Sequence, residues 1–356
     1  VLEALLAAMA VPPARLEAVA ADRSLAAPAK SAIMYNTSVA LIEDAMENPD
    51  LAALAPRLGS VTRSVASYVI NDPGSFRHLL DASSHDFYTA THMVNVGTMM
   101  VSLAYAMGVR DPSELATICE AGMLHDLGKI DVPASVLNKK DRLTAEDWAA
   151  LRHHPIAGYE RLAACPGINP VVLAVTRQHH ERLDGSGYPD GLRGDEIHPI
   201  SRMCAVVDSF DAMTAARPFR GMSYTPEQAM DLLRRESPAR YDPRVIEACG
   251  SLISRNAEDA TKEPDDSTNR SRRAHPRSDF NCPARFHVVA TRGRGLKEDA
   301  GISVLSRSVS VSGLGCLCQY PIPPGQYARI YLDRDGWRDR PLEGRTVRCR
   351  TVRHNR

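Results

Sequence analysis

Residues 256–271, NAEDATKEPDDSTNRS, contain no aromatic or long aliphatic side chain and cannot bury enough apolar surface to order themselves. This polar stretch separates two different periodicities. Upstream, apolar residues recur three and four positions apart in VALIEDAM (39–46), FYTATHMVNVGTMMVSLAYAMG (87–108), PSELATICEAGMLHDLG (112–128), TAEDWAALRHHPIAGYERLAA (144–164), PVVLAVTRQHH (170–180), ISRMCAVVDSFDAMTA (200–215) and TPEQAMDLLRRE (225–236), the pattern of amphipathic helices. Thr144 followed by Asp147 forms a capping-box signature, and Gly108 and Gly128 stand where helices end. Downstream, FHVVAT, GISVLSRSVSV, YARIYL and RTVRCRTV are short β-prone stretches broken by Gly and Pro, which predicts a small β barrel or sandwich. The chain therefore reads as multidomain, all-α and then all-β.

Charge follows the same division. Residues 1–266 carry 25 basic and 36 acidic side chains, and residues 267–356 carry 18 and 7, so a net charge near zero hides an acidic body and a basic one. Nine of the twelve histidines lie in the first body, while 17 of the 18 basic residues of the second are arginines. Histidine clustering suggests chemistry, and arginine suggests an anionic ligand. The eight cysteines are scattered, with neither a disulfide framework nor a Cys-x-x-Cys zinc site, which predicts a reduced cytoplasmic compartment. No apolar run approaches a membrane span, and VLEALLAAMA at the start, with Glu3 and no preceding positive charge, reads as a surface helix and not a signal peptide. Residues 1–84 form a helical region whose default role is packing or dimerisation, with a sensory role as the alternative.

His92, His125, Asp126, His154, His179, His180 and Asp208 recur on successive predicted helices. His92 alone would be read as a satisfied core histidine, and His78, His85 and His198 read as surface or supporting residues. Gathering this many imidazoles and carboxylates is costly without metals or dense hydrogen bonding, so the set predicts metal binding. Neighbouring side chains on a helix diverge by about 100°, so His125–Asp126 and His179–His180 are each suited to straddling two metals, with Asp126 able to bridge them.

The blocks MLHDLGKIDVPASVLNK (123–139), HPIAGYERL (154–162) and HHERLDGSGYPDG (179–191) closely resemble the HD-GYP family of cyclic di-GMP phosphodiesterases over roughly residues 85–256. The resemblance implies that His92, His125, Asp126 and Asp208 hold one metal and that Asp126, His154, His179 and His180 hold the other. Tyr88 stands where members with a third metal carry glutamate, so two divalent ions are expected, iron or manganese first and zinc as a further fit. They would activate water for in-line attack on phosphorus, giving linear pGpG that is either released or cut onward to GMP. Lys129 resembles the family lysine at the scissile phosphate, and Arg217 and Arg220 match basic positions that grip phosphates. Gly185, Gly187 and Pro189 suit a tight loop, in which Tyr188 either touches nucleotide or packs the loop. Glu181 and Asp184 would fix that loop or orient ligand histidines. In the family this loop also contacts diguanylate cyclases. Hydrolysis of another cyclic dinucleotide or nucleoside phosphate, or an inactive scaffold, are the alternatives.

RRAHPR (272–277) and SVSVSG (308–313) resemble the two cyclic di-GMP-binding motifs of PilZ domains, small β barrels. By that resemblance Arg272, Arg273, Arg277, Ser308, Ser310 and Gly313 bind the nucleotide as a regulatory ligand, with Ser308 standing where the family has Asp or Asn. The chain stops at RTVRCRTVRHNR, where the family adds a further strand, so a truncated barrel over 271–356 is expected after a linker over 257–270. A nonspecific nucleic-acid tail is the competing reading and lacks interleaved aromatics.

Overall fold

The computed structural model describes residues 10–262 apart from 48–49, 73, 84–88, 138, 140 and 216–223, together with the backbone of five strands between 278 and 345. Two compact units result. One spans Pro12–Asp265, and the other includes Asp266–Arg356.

The first unit is helical: α1 (Leu16–Ala21), α2 (Ala27–Glu47), α3 (Leu51–Asn71), α4 (Ser75–Ala82), α5 (Thr89–Ala106), α6 (Pro112–Leu124), α7 (Ala134–Leu137), α8 (Ala145–Arg152), α9 (His154–Ala163), α10 (Pro170–Gln178), α11 (Pro199–Thr214), α12 (Pro226–Glu236) and α13 (Pro243–Lys262). A recurring local rule starts these helices, namely a capping side chain followed by proline. Asp111 accepts from Glu114 N ahead of Pro112, Asn169 from Val171 N ahead of Pro170, His198 from Ile200 N ahead of Pro199, and Thr225 from Gln228 N ahead of Pro226. Proline has no N–H to leave unsatisfied at that position, and the cap oxygen or nitrogen satisfies one that would be. His198 is thereby a helix cap. Thr144 and Asp147 form the expected capping box.

α5 is buried on every side from Ala90 through Ala104, so it forms the centre of the unit. It crosses α6 where two glycines touch: a Cβ on Gly122 would lie 2.6 Å from Gly97 Cα. The N-terminal helices pack into this same unit, with Tyr35 of α2 donating to Asn95 of α5 at 2.8 Å. Cys119, Cys165, Cys204 and Cys249 are free thiols. Among the described residues no helix is long and apolar enough to cross a membrane.

Several boundaries differ from the sequence reading. The helix expected over 112–128 stops at Leu124, and a 3-10 turn takes Leu127–Asp131. Gly128 is accordingly not a left-handed cap. Its role is close approach, since a Cβ there would lie 2.0 Å from His154 O. Gly108 does act as a terminator, at φ +104. The helix expected over 144–164 breaks at His153 into α8 and α9 because Pro155, within the first turn of α9, cannot donate back into α8. The last helix runs through Lys262 into the stretch read as linker, where Ala257, Glu258, Ala260 and Lys262 all tolerate helix.

The C-terminal strands are β1 (Ser278–Ala290), β2 (Gly301–Ser310), β3 (Gly313–Cys318), β4 (Tyr327–Leu332) and β5 (Leu342–Arg345). They form one antiparallel sheet in the order β3-β2-β1-β4-β5. Ser308 pairs with Asp279 and Gly315, and Ser310 pairs with Gly313 at the β2–β3 hairpin. Arg272, Arg273 and Arg277, and the final stretch from 346, lie outside the described residues.

Candidate metal centre

Three of the expected histidines are placed by one local device. His125 caps the C-terminus of α6, His179 caps that of α10, and His154 follows directly on the junction that ends α8. The last carbonyls of a helix lack intrahelical partners. Each of these imidazoles meets the carbonyl three residues back through Nδ1: Gly122 O at 2.7 Å, Leu151 O at 2.7 Å and Thr176 O at 2.9 Å. With Nδ1–H so engaged, Nε2 carries the lone pair and faces inward. The C-termini of α6 and α10 end here, and their partial negative charge favours a cation, while His154 also opens α9, whose N-terminus carries the opposite sign.

The inward atoms form two clusters that share a carboxylate. Asp126, His154, His179 and His180 make one, and His92, His125 and Asp126 the other, with the donor atoms of each within 4.8 Å of one another. Asp208 touches both, lying 3.1 Å from His92 Nε2 and 3.9 Å from His180 Nδ1. His125 and His179 are fully buried, and Asp126 and His154 are 1% exposed. The fit to metal rests on how these atoms face each other. His154 Nε2 and His179 Nε2 approach to 3.1 Å although both rings spend their Nδ1–H elsewhere. His125 Nε2 and Asp126 Oδ1 are buried and have no hydrogen-bond partner. Lone pairs converging in a dry interior fit a shared cation and are costly otherwise.

Protonation states match such a ligand set. Burial opposes ionisation of Asp126, but the neighbouring Lys129 and His125 outweigh it and hold the carboxyl well below its usual range. Burial likewise opposes ionisation of Asp208, and the His92 hydrogen bond overrides it. Burial and the surrounding imidazoles keep His179 neutral, and burial pushes His180 down to about 3. His92 is the exception, raised to about 10 because Asp208 and Asp211 overcome its burial.

Asp211 was not among the sequence candidates. It accepts from His92 Nδ1 at 2.7 Å and from Asn95 Nδ2 at 3.0 Å, and Asn95 in turn accepts from Tyr35. The signal in the sequence was a matched spacing: His92/Asn95 and Asp208/Asp211 are each three apart, one face on each of two helices.

Lys129, on the 3-10 turn, pairs with Asp126 Oδ2 at 2.5 Å and keeps its side chain 19% exposed, at the border between cluster and solvent. Gly128 admits this turn against α9 at Gly158. In the loop after His180, Glu181 accepts from the backbone N–H of Asp190, Gly191 and Leu192, so it fixes the loop. Asp184 caps Ser186 N at 2.9 Å. Gly185 adopts φ +79, and a Cβ on Gly187 would lie 2.4 Å from Glu181 Cα. The bond before Pro189 is cis. Tyr188 stacks on His180 with centroids 4.7 Å apart and planes inclined 26°. Tyr88, Arg217 and Arg220 lie outside the described residues.

A family model for the HD domain matches residues 63–245, more than half of the chain. The chain belongs to the HD-domain family. Its similarity extends to the cyclic di-GMP phosphodiesterase PA4108 of Pseudomonas aeruginosa, 36% identical over 186 residues, which are 52% of this chain and 44% of that protein. The 3'3'-cGAMP-specific phosphodiesterase 2 of Vibrio cholerae is 34% identical over 160 residues, 45% of this chain and 30% of that protein. The chain thus spans under half the length of either relative. Among solved structures, Bd1817, an HDG"Y"P protein from Bdellovibrio bacteriovorus, shares the fold, with a TM-score of 0.57 and 19% identity over 67% of this chain and 77% of that one. The HD-domain match begins inside α3, so it takes in the end of that helix and α4.

Proposed function

We propose that this HD domain is a two-metal phosphodiesterase of the HD-GYP type that opens cyclic di-GMP to linear pGpG. The observation that carries the reading is the pair of His/Asp clusters sharing Asp126, with Lys129 at their solvent border. His92, His125, Asp126 and Asp208 hold one ion, and Asp126, His154, His179 and His180 the other. The donors suit iron or manganese, and zinc also fits. When bound, the metals supply activated water and charge for the transition state.

The rest is done by the chain. Asp211 holds the His92 ring through Nδ1, and the three helix-end carbonyls hold the others, so the ligands are set before substrate arrives. Lys129 is poised to turn from Asp126 to a phosphate oxygen, where its charge is worth more in a site shielded from water. Tyr188, fixed on His180 by stacking, borders the nucleotide. Arg217 and Arg220 grip phosphate. The C-terminal sheet is read as a PilZ-like domain that senses the same nucleotide through Arg272, Arg273, Arg277, Ser308, Ser310 and Gly313. Support for this comes from the placement of Ser310 and Gly313 as partners at one hairpin.

The test is hydrolysis of cyclic di-GMP and of 3'3'-cGAMP by protein loaded anaerobically with iron(II), manganese(II) or zinc(II), following pGpG and GMP. Turnover of cyclic di-GMP that is lost in Asp126→Ala is expected. No turnover of either compound by protein holding two metals would make the chain a scaffold, and turnover of 3'3'-cGAMP alone would change the substrate.

A further inference from the structure

Arg152 is the last residue of α8, two positions before His154. Its guanidinium carbon lies 5.2 Å from the Tyr188 ring centroid and 5.8 Å from that of Trp148, both within cation–π range. Tyr188 stacks on His180 in turn. A row of side chains, Trp148, Arg152, Tyr188 and His180, therefore leads from the surface to the metal centre. Two features of it bear on ligand binding. Trp148 is 47% exposed. Arg152 has no hydrogen bond or ion pair among the described residues, whereas Arg161, Arg177 and Arg202 are each matched to an aspartate. Flanking rings limit its motion while leaving its planar donors unspent.

Resting on the phosphodiesterase reading above, we propose that Trp148 and Arg152 read a base of the cyclic dinucleotide and select guanine. The exposed indole offers a stacking face, which any base can use. The guanidinium offers two parallel donors, which match O6 and N7 of guanine. Adenine presents N7 beside an N6 amino group on that edge, and the amino group opposes a donor. Trp148 thus supplies affinity and Arg152 supplies selectivity, three and two contacts outward from His180.

The experiment compares cyclic di-GMP with cyclic di-AMP in steady-state hydrolysis by the full metal-loaded chain, using wild type, Arg152→Ala, Arg152→Lys, Trp148→Ala and Trp148→Phe, with bound metal measured in each. Arg152→Ala is expected to raise KM for cyclic di-GMP about 10- to 100-fold and to change KM for cyclic di-AMP little, so that the guanine preference collapses. Arg152→Lys keeps the charge without the fork and does not restore it. Trp148→Ala raises KM for both substrates alike, and Trp148→Phe largely rescues it. An equal rise for both substrates in Arg152→Ala would make Arg152 a phosphate clamp and overturn the proposal. So would an unchanged KM, or loss of bound metal in the variant. Wild-type protein that holds two metals and cleaves neither compound would instead overturn the phosphodiesterase reading, a failure visible before any Arg152 or Trp148 variant is made.

Discussion

The inner and outer sides of the candidate centre are built by opposite means. On the inner side His125, Asp126, His154 and His179 are essentially excluded from solvent, and each imidazole is fixed to a helix-end carbonyl. On the outer side His180 keeps a fifth of its side chain exposed, and ring stacking holds Tyr188 and Arg152, with no side-chain hydrogen bond to either among the described residues. Hydrogen-bonded carbonyls fix the tautomer and the orientation of each ring, as metal ligands need. Stacked rings fix a plane and tolerate sliding, as a surface meeting a flexible nucleotide needs. Rigidity is thus concentrated where lone pairs converge.

The comparison can be broken at its inner side first. Chelating the metals should lower the melting temperature, because bound ions stabilise by mass action about 2.7 kcal/mol at a concentration one hundred times Kd. For a helical unit of this size that is roughly 5–10 °C, read by calorimetry with and without manganese(II). No shift would mean that the inner side is satisfied without a cation. A smaller effect is expected from Asp211→Asn, which weakens the hold on His92 Nδ1 and should reduce metal affinity about 10- to 100-fold in a manganese titration. Unchanged affinity would show that the helix-end carbonyls suffice.

The smallest effect calibrates burial. Arg161 and Asp131 form a bidentate pair at 2.7 and 2.5 Å, but both are more than a third exposed. The Arg161 hydrogen bonds hold the Asp131 carboxyl below its ordinary 3.8. A carboxylate lowered in the folded state stabilises above its unfolded pKa and loses that contribution as pH falls through the folded value. Discounted for screening, Asp131→Asn should cost about 0.5 kcal/mol or less at pH 7, a cost that vanishes as pH falls through the folded value. A cost above about 2 kcal/mol would mean that exposure does not separate this pair from the buried ones.

Much of the centre was legible because its ligands come in short, unusual strings. His125–Asp126 and the stretch from His179 to Pro189 identify themselves. Periodicity located α5, α6 and α10–α12 closely because each buries apolar residues at helical spacing. Asp211 escaped because its role exists only when α11 lies against α5, a tertiary fact that one helix's pattern does not encode. The break at His153 was hidden by continuous helical spacing on both sides. β3, GLGCLC, was missed because glycine and cysteine carry little strand preference, and the neighbouring β2 supplies what holds it. Trp148 and Arg152 fall inside the helix expected over 144–164 with nothing in its pattern to mark them, and only the adjacency of Tyr188 sets them apart.

The most direct test of the two-cluster centre is its stoichiometry. Protein reconstituted with excess manganese(II), freed of unbound ion and measured by elemental analysis should hold two ions per chain, and Asp126→Ala, which removes the shared carboxylate, should hold fewer than one. A single ion in the wild type, or two retained in Asp126→Ala, would contradict a centre built around that bridge.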